Sequence, residues 1–127
     1  MAEVARLANL PYIVLQKIRN GDREVEISVP DIDRWRNHTP VLVDDIISTG
    51  QTMIKTVGHL RQAGLSQPVC IGIHAIFADN AYDDLLKAGV SRVVTCNTVR
   101  HISNAIDVSG LLANGVREIG VSTTYEG

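Results

Sequence analysis

The stretch VLVDDIISTGQT, residues 41–52, places two adjacent acids, Asp44 and Asp45, between an apolar run and a loop of small polar residues. Carboxylates accept hydrogen bonds from sugar hydroxyls and bind hard cations such as magnesium. The loop offers backbone N–H groups and hydroxyls, which are typical of a phosphate pocket at a helix N-terminus; its residues are Ser48, Thr49, Gly50, Gln51 and Thr52. Acids alone would repel a phosphate. The combination therefore predicts a sugar phosphate, with the acids at its hydroxyls and the loop at its phosphate.

A simpler interpretation of the same residues is that Ser48 or Thr49 caps a helix while the two acids are solvated. Helix caps of this kind are common, and the loop by itself would favour that interpretation. The complete spacing, DD-x-x-x-TG-x-T directly after a buried strand, is much more specific. This spacing favours a sugar-phosphate binding site over a simple helix cap.

The elements that position this stretch alternate between strands and helices. Continuous apolar or β-rich runs predict a mainly parallel sheet that includes strands near 12–18, 40–45, 69–77 and 91–95. Helical spacing predicts helices over 2–10, 51–63, 80–88 and 104–115, and residues 118–125 are a candidate edge strand. This order predicts one α/β domain over residues 1–127, with right-handed crossovers. The acids would then lie at the carboxyl end of a central strand, where open α/β sheets bind ligands.

A hairpin is predicted before the motif. Residues 23–29 alternate apolar and acidic side chains, and Asn20-Gly21 between two β-rich runs is typical of a hairpin turn. The hairpin is expected to project from the sheet as a flap. Lys17 and Arg19 lie two residues apart on its first strand, so both side chains should leave the same face. The acids interleaved along this segment also suit a solvated hairpin.

Composition limits the class of protein. The chain has 127 residues, of which 45% are hydrophobic and 20% charged, enough for one core. A net charge of −2 gives no reason to expect a nucleic-acid or membrane partner, and no apolar run approaches the roughly 18 residues of a membrane span. Cys70 and Cys96 lack metal-ligand spacing and are interpreted as reduced thiols of a cytoplasmic protein. His74, inside an apolar strand, is interpreted as a structural core residue.

These segments resemble a known family. VLVDDIISTGQTM is similar to the phosphoribosyl-diphosphate (PRPP) binding motif of type I phosphoribosyltransferases and ribose-phosphate pyrophosphokinases. PYIVLQKIRNGDREVEIS and NTVRHISNAIDVSGLLA are similar to stretches of ribose-phosphate pyrophosphokinases, in the same order around the motif. The resemblance covers nearly the whole chain and corresponds to the C-terminal half of such an enzyme. It implies a three-layer α/β domain of the type I phosphoribosyltransferase kind, with a mainly parallel sheet and a projecting hairpin.

The resemblance also implies an activity and roles for individual residues. In nucleotide biosynthesis, the family transfers the β,γ-diphosphate of ATP to the anomeric hydroxyl of ribose 5-phosphate, with Mg²⁺. Lys17 and Arg19 match the catalytic basic pair of the family's mobile loop. Asp44 and Asp45 match the ribose-binding acids, which would also hold magnesium together with the ribose, and residues 48–52 match the 5-phosphate loop. The implied ligands are ribose 5-phosphate, PRPP and ATP.

Nothing in the sequence matches the family's N-terminal half, which supplies adenine contacts, a metal-binding histidine and much of the oligomer interface. The expectation is a domain that is incomplete for catalysis alone and works as a homo-oligomer or with a complementary N-terminal half. Two alternatives are a phosphoribosyltransferase and a non-catalytic module that binds sugar phosphates or another protein. The 40 residues before Val41 contain neither a diphosphate-binding turn nor a hood over a base, which counts against the transferase.

Overall fold

A computed structural model of the chain describes the backbone of residues 2–20, 24–28 and 32–120, and the side chains of residues 2–15 and 32–120. The elements in chain order are α1 (Ala2–Leu7), β1 (Gln16–Asn20), β2 (Glu24–Ser28), a short 3-10 helix (Ile32–Trp35), β3 (Val41–Ile47), α2 (Gln51–Gln62), β4 (Val69–Ala75), α3 (Ala81–Lys87), β5 (Arg92–Cys96), β6 (Asn104–Ile106) and α4 (Ser109–Glu118). None of the described helices is long and apolar enough to cross a bilayer.

Four strands form a parallel sheet in the order β3-β4-β5-β6. Helix α2 connects β3 to β4, and α3 connects β4 to β5. Because the strand order advances in one direction, right-handed crossovers place both helices on the same face of the sheet. The predicted α/β fold with a mainly parallel sheet is confirmed.

The hydrophobic core lies between the sheet and these two helices. It contains Ile47, Cys70 and Val93 from the strands, Met53 and Val57 from α2, and Leu85 from α3. Gly72 leaves room for the Ile47 side chain, because a Cβ atom there would lie 2.6 Å from Ile47 Cδ1. Burial raises the pKa of the Cys70 thiol to about 12, so the thiol is unreactive at neutral pH.

Glycines end both core helices, as predicted. Gly64 follows α2 with a φ of 82°, and Gly89 follows α3 with a φ of 107°. Only glycine adopts this left-handed conformation without steric cost, which makes it the usual residue just beyond a helix. The two helix ends are therefore set by local sequence.

The helices at the two ends of the described chain are not part of this core. Neither α1 nor α4 contains a buried residue. Large apolar side chains on them are widely exposed, including Leu7 at 73%, Leu111 at 73% and Ile119 at 75%. The described core therefore lies between the sheet and helices α2 and α3.

The hairpin strands form a sheet of their own. β1 and β2 pair antiparallel, with Gln16 opposite Ser28 and Asn20 opposite Glu24, and β2 approaches α2. Closing a short loop costs little chain entropy, so β1 pairs with its neighbour in sequence. The prediction that residues 12–18 join the parallel sheet is therefore wrong, and among the described strands β3 is an edge strand rather than the predicted central one. The predicted turn at Gly21 lies outside the described residues.

The last predicted helix begins later than expected. Residues 104–106 form β6, which pairs with Thr95 and Cys96 of β5, and the Asn97 amide donates a hydrogen bond to the Ile106 carbonyl at 3.0 Å. The open edge of β5 thus supplies partners for backbone groups that a helix would otherwise have paired internally. Glu118 belongs to α4, and residues 121–125 of the candidate edge strand lie outside the described part of the chain.

Asp107 stabilises the beginning of α4. Its Oδ1 accepts hydrogen bonds from the Ser109 amide at 2.8 Å and from the Asn97 side chain at 3.0 Å. Hydrogen bonds, first from the Ser109 amide, then from the Ser109 and Asn97 side chains, hold the pKa of Asp107 below its usual range. A carboxyl group with a lowered folded-state pKa stabilises the fold above its unfolded pKa of about 4, and this contribution is lost as pH falls through the folded-state pKa.

We expect Asp107→Ala to lower the hydrogen-exchange protection factors of α4 severalfold at pH 7, because the Ser109 amide loses its acceptor. As the pH falls through the folded-state pKa of Asp107, the protection factors of α4 in the wild-type protein should approach those of the variant. Amide exchange measured by NMR or mass spectrometry checks this, with Asp33→Ala on the 3-10 helix as a control. Unchanged protection of α4 in Asp107→Ala at pH 7 would show that the contact does not stabilise the helix.

Candidate functional site

An open cleft of about 130 Å³ lies at the carboxyl end of β3 and the N-terminus of α2. Its lining consists of Asp44, Ile46, Ile47, Ser48, Thr49, Gly50, Gln51, Thr52 and Met53. The structure thus brings together one of the two predicted acids and all five residues of the predicted phosphate loop. The second acid, Asp45, does not line the cleft.

The loop leaves the N-terminus of α2 open to an anion. Gly50 precedes the helix in a left-handed conformation, with a φ of 73° and a ψ of 5°. It has no side chain to cap the helix, and the hydrogen bond from the Gln51 amide to Thr49 Oγ1 is long, at 3.5 Å. The first N–H groups of a helix have no intrahelical acceptor, and the helix dipole is positive at that end. The backbone here is therefore suited to bind a phosphate.

The two acids differ in their surroundings. Asp44 is half-buried and faces the cleft, whereas Asp45 is exposed. Each carboxylate accepts a hydrogen bond from the next amide in the chain at 2.8 Å: Asp44 from Asp45, and Asp45 from Ile46. These bonds hold both carboxyl groups close to the backbone at the strand end, next to the phosphate loop.

The carboxyl groups also interact with each other. A hydrogen bond with the Asp44 carboxyl group, and then the Ile46 amide, hold the pKa of Asp45 below its usual range. Among the described residues no three His, Cys, Asp or Glu side chains cluster as a metal site.

The loop that follows β4 is hydrogen-bonded to the end of β3 and the start of the phosphate loop. The Phe77 amide donates to the Ile47 carbonyl at 2.8 Å, and the Ala78 amide donates to the Ser48 carbonyl at 2.9 Å. Phe77 and Asp79 have positive φ angles of 42° and 53°, which are unfavourable for residues with side chains. Such strain persists where the surrounding contacts fix the backbone, often at functional sites.

An aromatic cluster anchors the loop that follows β4. The Phe77 ring lies 4.5 Å from the His101 ring and 5.4 Å from the Tyr82 ring, measured between centroids. His101 is itself fixed, because its Nδ1 accepts a hydrogen bond from the Ser103 amide at 3.1 Å. The cluster thus ties the loops that follow β4 and β5 to the start of α3, and through Phe77 it positions the phosphate loop.

The sequence did not identify all residues at this edge of the sheet. His74 is half-buried rather than a core residue, and its Nδ1 lies 2.7 Å from Thr98 Oγ1, so the core interpretation is wrong. His74, Phe77 and Thr98 all lie at or just beyond the carboxyl end of a parallel strand. That shared position is the property that would have pointed to them.

The predicted catalytic pair lies on β1. Lys17 and Arg19 are alternate residues of this strand, and their side chains lie outside the described part of the structure. Their role, and the role of the flap, remain predictions.

The parallel sheet, the glycine-led phosphate loop and the adjacent acid pair define a domain of the phosphoribosyltransferase type. The chain belongs to the phosphoribosyl transferase domain family, whose model matches residues 1–111. The predicted resemblance is confirmed at this level.

Individual relatives and a solved structure agree with this assignment. The chain is 34% identical over 118 residues to the ribose-phosphate pyrophosphokinase of Sulfurisphaera tokodaii, an alignment that covers 89% of this chain and 40% of the relative. It is 32% identical over 110 residues to the ribose-phosphate pyrophosphokinase of Sulfolobus acidocaldarius, an alignment that covers 85% of this chain and 38% of the relative. The crystal structure of phosphoribosylpyrophosphate synthetase from Mycobacterium smegmatis superimposes with a TM-score of 0.69 at 25% identity, covering 91% of this chain and 39% of that one.

The chain thus spans about two fifths of the length of the curated relatives that it matches. This proportion agrees with the predicted correspondence to one half of a ribose-phosphate pyrophosphokinase.

The conformation of Gly50 leads to a first prediction about the site. A Cβ atom at Gly50 would be 3.5 Å from Leu85, an ordinary contact, so the cost of Gly50→Ala comes from the left-handed backbone. We expect a loss of about 1–2 kcal/mol in the free energy of unfolding. Phosphate affinity should fall as well, because the loop amides shift when the backbone relaxes. Urea denaturation and calorimetry with ribose 5-phosphate measure the two effects.

Gly58→Ala is the matched control, because Gly58 lies inside α2 and an added Cβ atom there would meet nothing within 4 Å. Removing a glycine from a helix interior should stabilise the protein by about 0.5–1 kcal/mol. If Gly50→Ala and Gly58→Ala have the same free energy of unfolding, a side chain at position 50 causes no backbone strain.

Proposed function

We propose that this domain binds ribose 5-phosphate and PRPP in the cleft between β3 and α2. The observation that carries the proposal is the uncapped N-terminus of α2 beside the Asp44–Asp45 pair. A phosphate group would accept hydrogen bonds from the amides of residues 50–53 and from the hydroxyls of Ser48, Thr49 and Thr52. The acids would then accept hydrogen bonds from the ribose hydroxyls.

We propose that the reaction served by this site is diphosphoryl transfer in nucleotide biosynthesis. The ribose C1 hydroxyl oxygen would attack the β-phosphorus of ATP, the bond from that phosphorus to the α,β-bridging oxygen would break, and AMP would leave. The hydroxyl proton would pass to solvent. The names of the relatives and the match to residues 1–111 support this reaction.

Magnesium would neutralise the phosphate charges in this reaction, and the acid pair is the part of the described site that fits it. The protein's own contribution would be orientation. Asp44 and Asp45 would hold the sugar, the loop would fix its phosphate, and Lys17 and Arg19 on β1 would stabilise the charge of the transferred group.

Catalysis is proposed to require more than the matched domain. The relatives extend well beyond the aligned part, and we propose that a region equivalent to that remainder supplies the ATP site. The exposed apolar side chains of α1 and α4 support assembly with such a region or with further copies of this chain. The free, buried thiols of Cys70 and Cys96 support a cytoplasmic location, where thiols stay reduced.

Calorimetric titration of the chain with ribose 5-phosphate, PRPP and ATP tests the binding proposal. We expect both sugar phosphates to bind with magnesium and ATP alone to bind weakly. AMP release from ATP and ribose 5-phosphate, measured with and without a polypeptide equivalent to the rest of a relative, tests the reaction. Sugar-phosphate binding without AMP release in either assay would instead favour a non-catalytic binding module. No binding of either sugar phosphate would refute the site.

A further inference from the structure

His74 and Thr98 form a hydrogen-bonded pair at the carboxyl edge of the sheet. His74 lies near the end of β4, directly opposite Ile46 of β3, one position beyond the acid pair. Its Nδ1 lies 2.7 Å from Thr98 Oγ1, in the segment that follows β5. The imidazole is half-buried, so one part of the ring is accessible.

The hydrogen bonds of Thr98 determine where the imidazole proton lies. Thr98 Oγ1 is 3.1 Å from the Ile73 carbonyl oxygen, which can only accept, so the single hydroxyl proton of Thr98 is donated there. The oxygen of Thr98 must then accept a hydrogen bond from His74, and Nδ1 carries the proton. In the neutral ring, Nε2 therefore presents a lone pair.

His74 lies next to the acid pair, because its partner Ile46 directly follows Asp45 in β3. Ile46 lines the cleft, and His74 is paired with Ile46 across the two strands, which places the imidazole beside the site. Nδ1 is held on the side of the segment after β5, and among the described residues Nε2 has no hydrogen-bond partner. Nε2 is therefore the ring atom that remains available to a ligand bound beside the acid pair.

We propose that Nε2 of His74, fixed in this orientation by Thr98, accepts a hydrogen bond from a hydroxyl of the sugar bound at Asp44 and Asp45. This inference rests on the proposed binding of ribose 5-phosphate and adds a ligand-contacting residue to it. His74 contacts the sugar, and Thr98 acts as a positioning residue. Ligands with a hydroxyl at the contacted position are preferred over those without it.

Two substitutions of His74 separate the contact from a structural role. His74→Asn places an amide where Nδ1 lies and keeps a partner for Thr98, but it removes the Nε2 position. His74→Gln retains an acceptor near the Nε2 position. His59→Asn on the exposed side of α2 is the control for replacing a histidine. Thermal unfolding verifies that the variants remain folded.

Calorimetry with ribose 5-phosphate and inorganic phosphate gives the first result. We expect His74→Asn to bind ribose 5-phosphate about tenfold more weakly, the usual effect of one hydrogen bond. Its affinity for inorganic phosphate should not change, and His74→Gln should recover most of the loss. Thr98→Val should weaken ribose 5-phosphate binding, and Thr98→Ser should restore it.

Analogues that lack one hydroxyl give the second result. The two analogues are 2-deoxyribose 5-phosphate and 1-deoxyribose 5-phosphate. The wild-type protein and His74→Asn should bind with equal affinity the analogue that lacks the contacted hydroxyl. Equal affinity of His74→Asn and the wild-type protein for ribose 5-phosphate would overturn the inference while leaving the proposed function intact. A penalty that is the same for every analogue and for inorganic phosphate would also overturn it, since a structural role produces that pattern. No binding by the wild-type chain would refute both proposals.

Discussion

Replacing Asp44 and Asp45 together by asparagine is expected to lower the affinity for ribose 5-phosphate at least about tenfold, because one hydrogen bond to a charged acceptor is worth about 1.5–3 kcal/mol. The two single variants should differ. Asp44 lines the cleft and Asp45 does not, so Asp44→Asn should account for most of the loss. Titration calorimetry in the presence of magnesium measures all three affinities.

The fold should survive these changes. Asp45 is exposed, and solvated acids at a strand end contribute little to stability. Asp83→Asn, which removes an exposed acid from α3, is the control for the change in net charge. Unchanged affinity of the double variant would remove the ribose assignment. A loss in Asp83→Asn as large as in Asp44→Asn would mean that overall charge, rather than the acid pair, governs binding.

The second large effect is expected at the hairpin. In an enzyme completed by a region equivalent to the rest of a ribose-phosphate pyrophosphokinase, the double change Lys17→Ala and Arg19→Ala should lower kcat roughly 1,000-fold, because cations aimed at developing charge act mainly in the transition state. The affinity for ribose 5-phosphate should change little. Steady-state AMP formation and titration calorimetry measure the two quantities separately.

Arg92→Ala is the matched control for the basic pair. Arg92 is exposed and lies at the amino end of β5, away from the edge that carries the cleft. Its replacement should leave both kcat and affinity unchanged. If the completed enzyme keeps its rate without Lys17 and Arg19, the hairpin is a solvated element and the catalytic assignment fails.

Local sequence was sufficient for the elements that depend on neighbouring residues. Apolar runs located β3, β4 and β5, and helical spacing with a terminal glycine located α2 and α3. The loop that leads into α2 was also predictable as a helix start, because Gly50 and the hydroxyl residues lie within a few positions of the acids. Backbone preference and side-chain periodicity act over short distances along the chain, so the sequence contains this information directly.

Strand pairing was decided only in three dimensions. The residues of β1 are as β-rich as those of a sheet strand, yet they pair with β2, which leaves β3 at the edge of the described sheet. Residues 104–106 follow a helical pattern but form β6, because the open edge of β5 offers hydrogen-bond partners. Which strand lies beside which depends on the free energy of contacts between distant segments, and periodicity does not report it.

The finer geometry of the site was likewise a property of the folded chain. The sequence placed two adjacent acids at a strand end, but only the structure distinguishes Asp44 in the cleft from exposed Asp45. His74 and Thr98 are in contact although they are 24 residues apart. Phe77 has a left-handed backbone conformation, and it contacts the Ile47 carbonyl through its amide and the rings of Tyr82 and His101 through its side chain. Parallel strands bring such residues to one edge because their carboxyl ends meet there. The types of residue in the site follow from the sequence, whereas their orientation follows from packing.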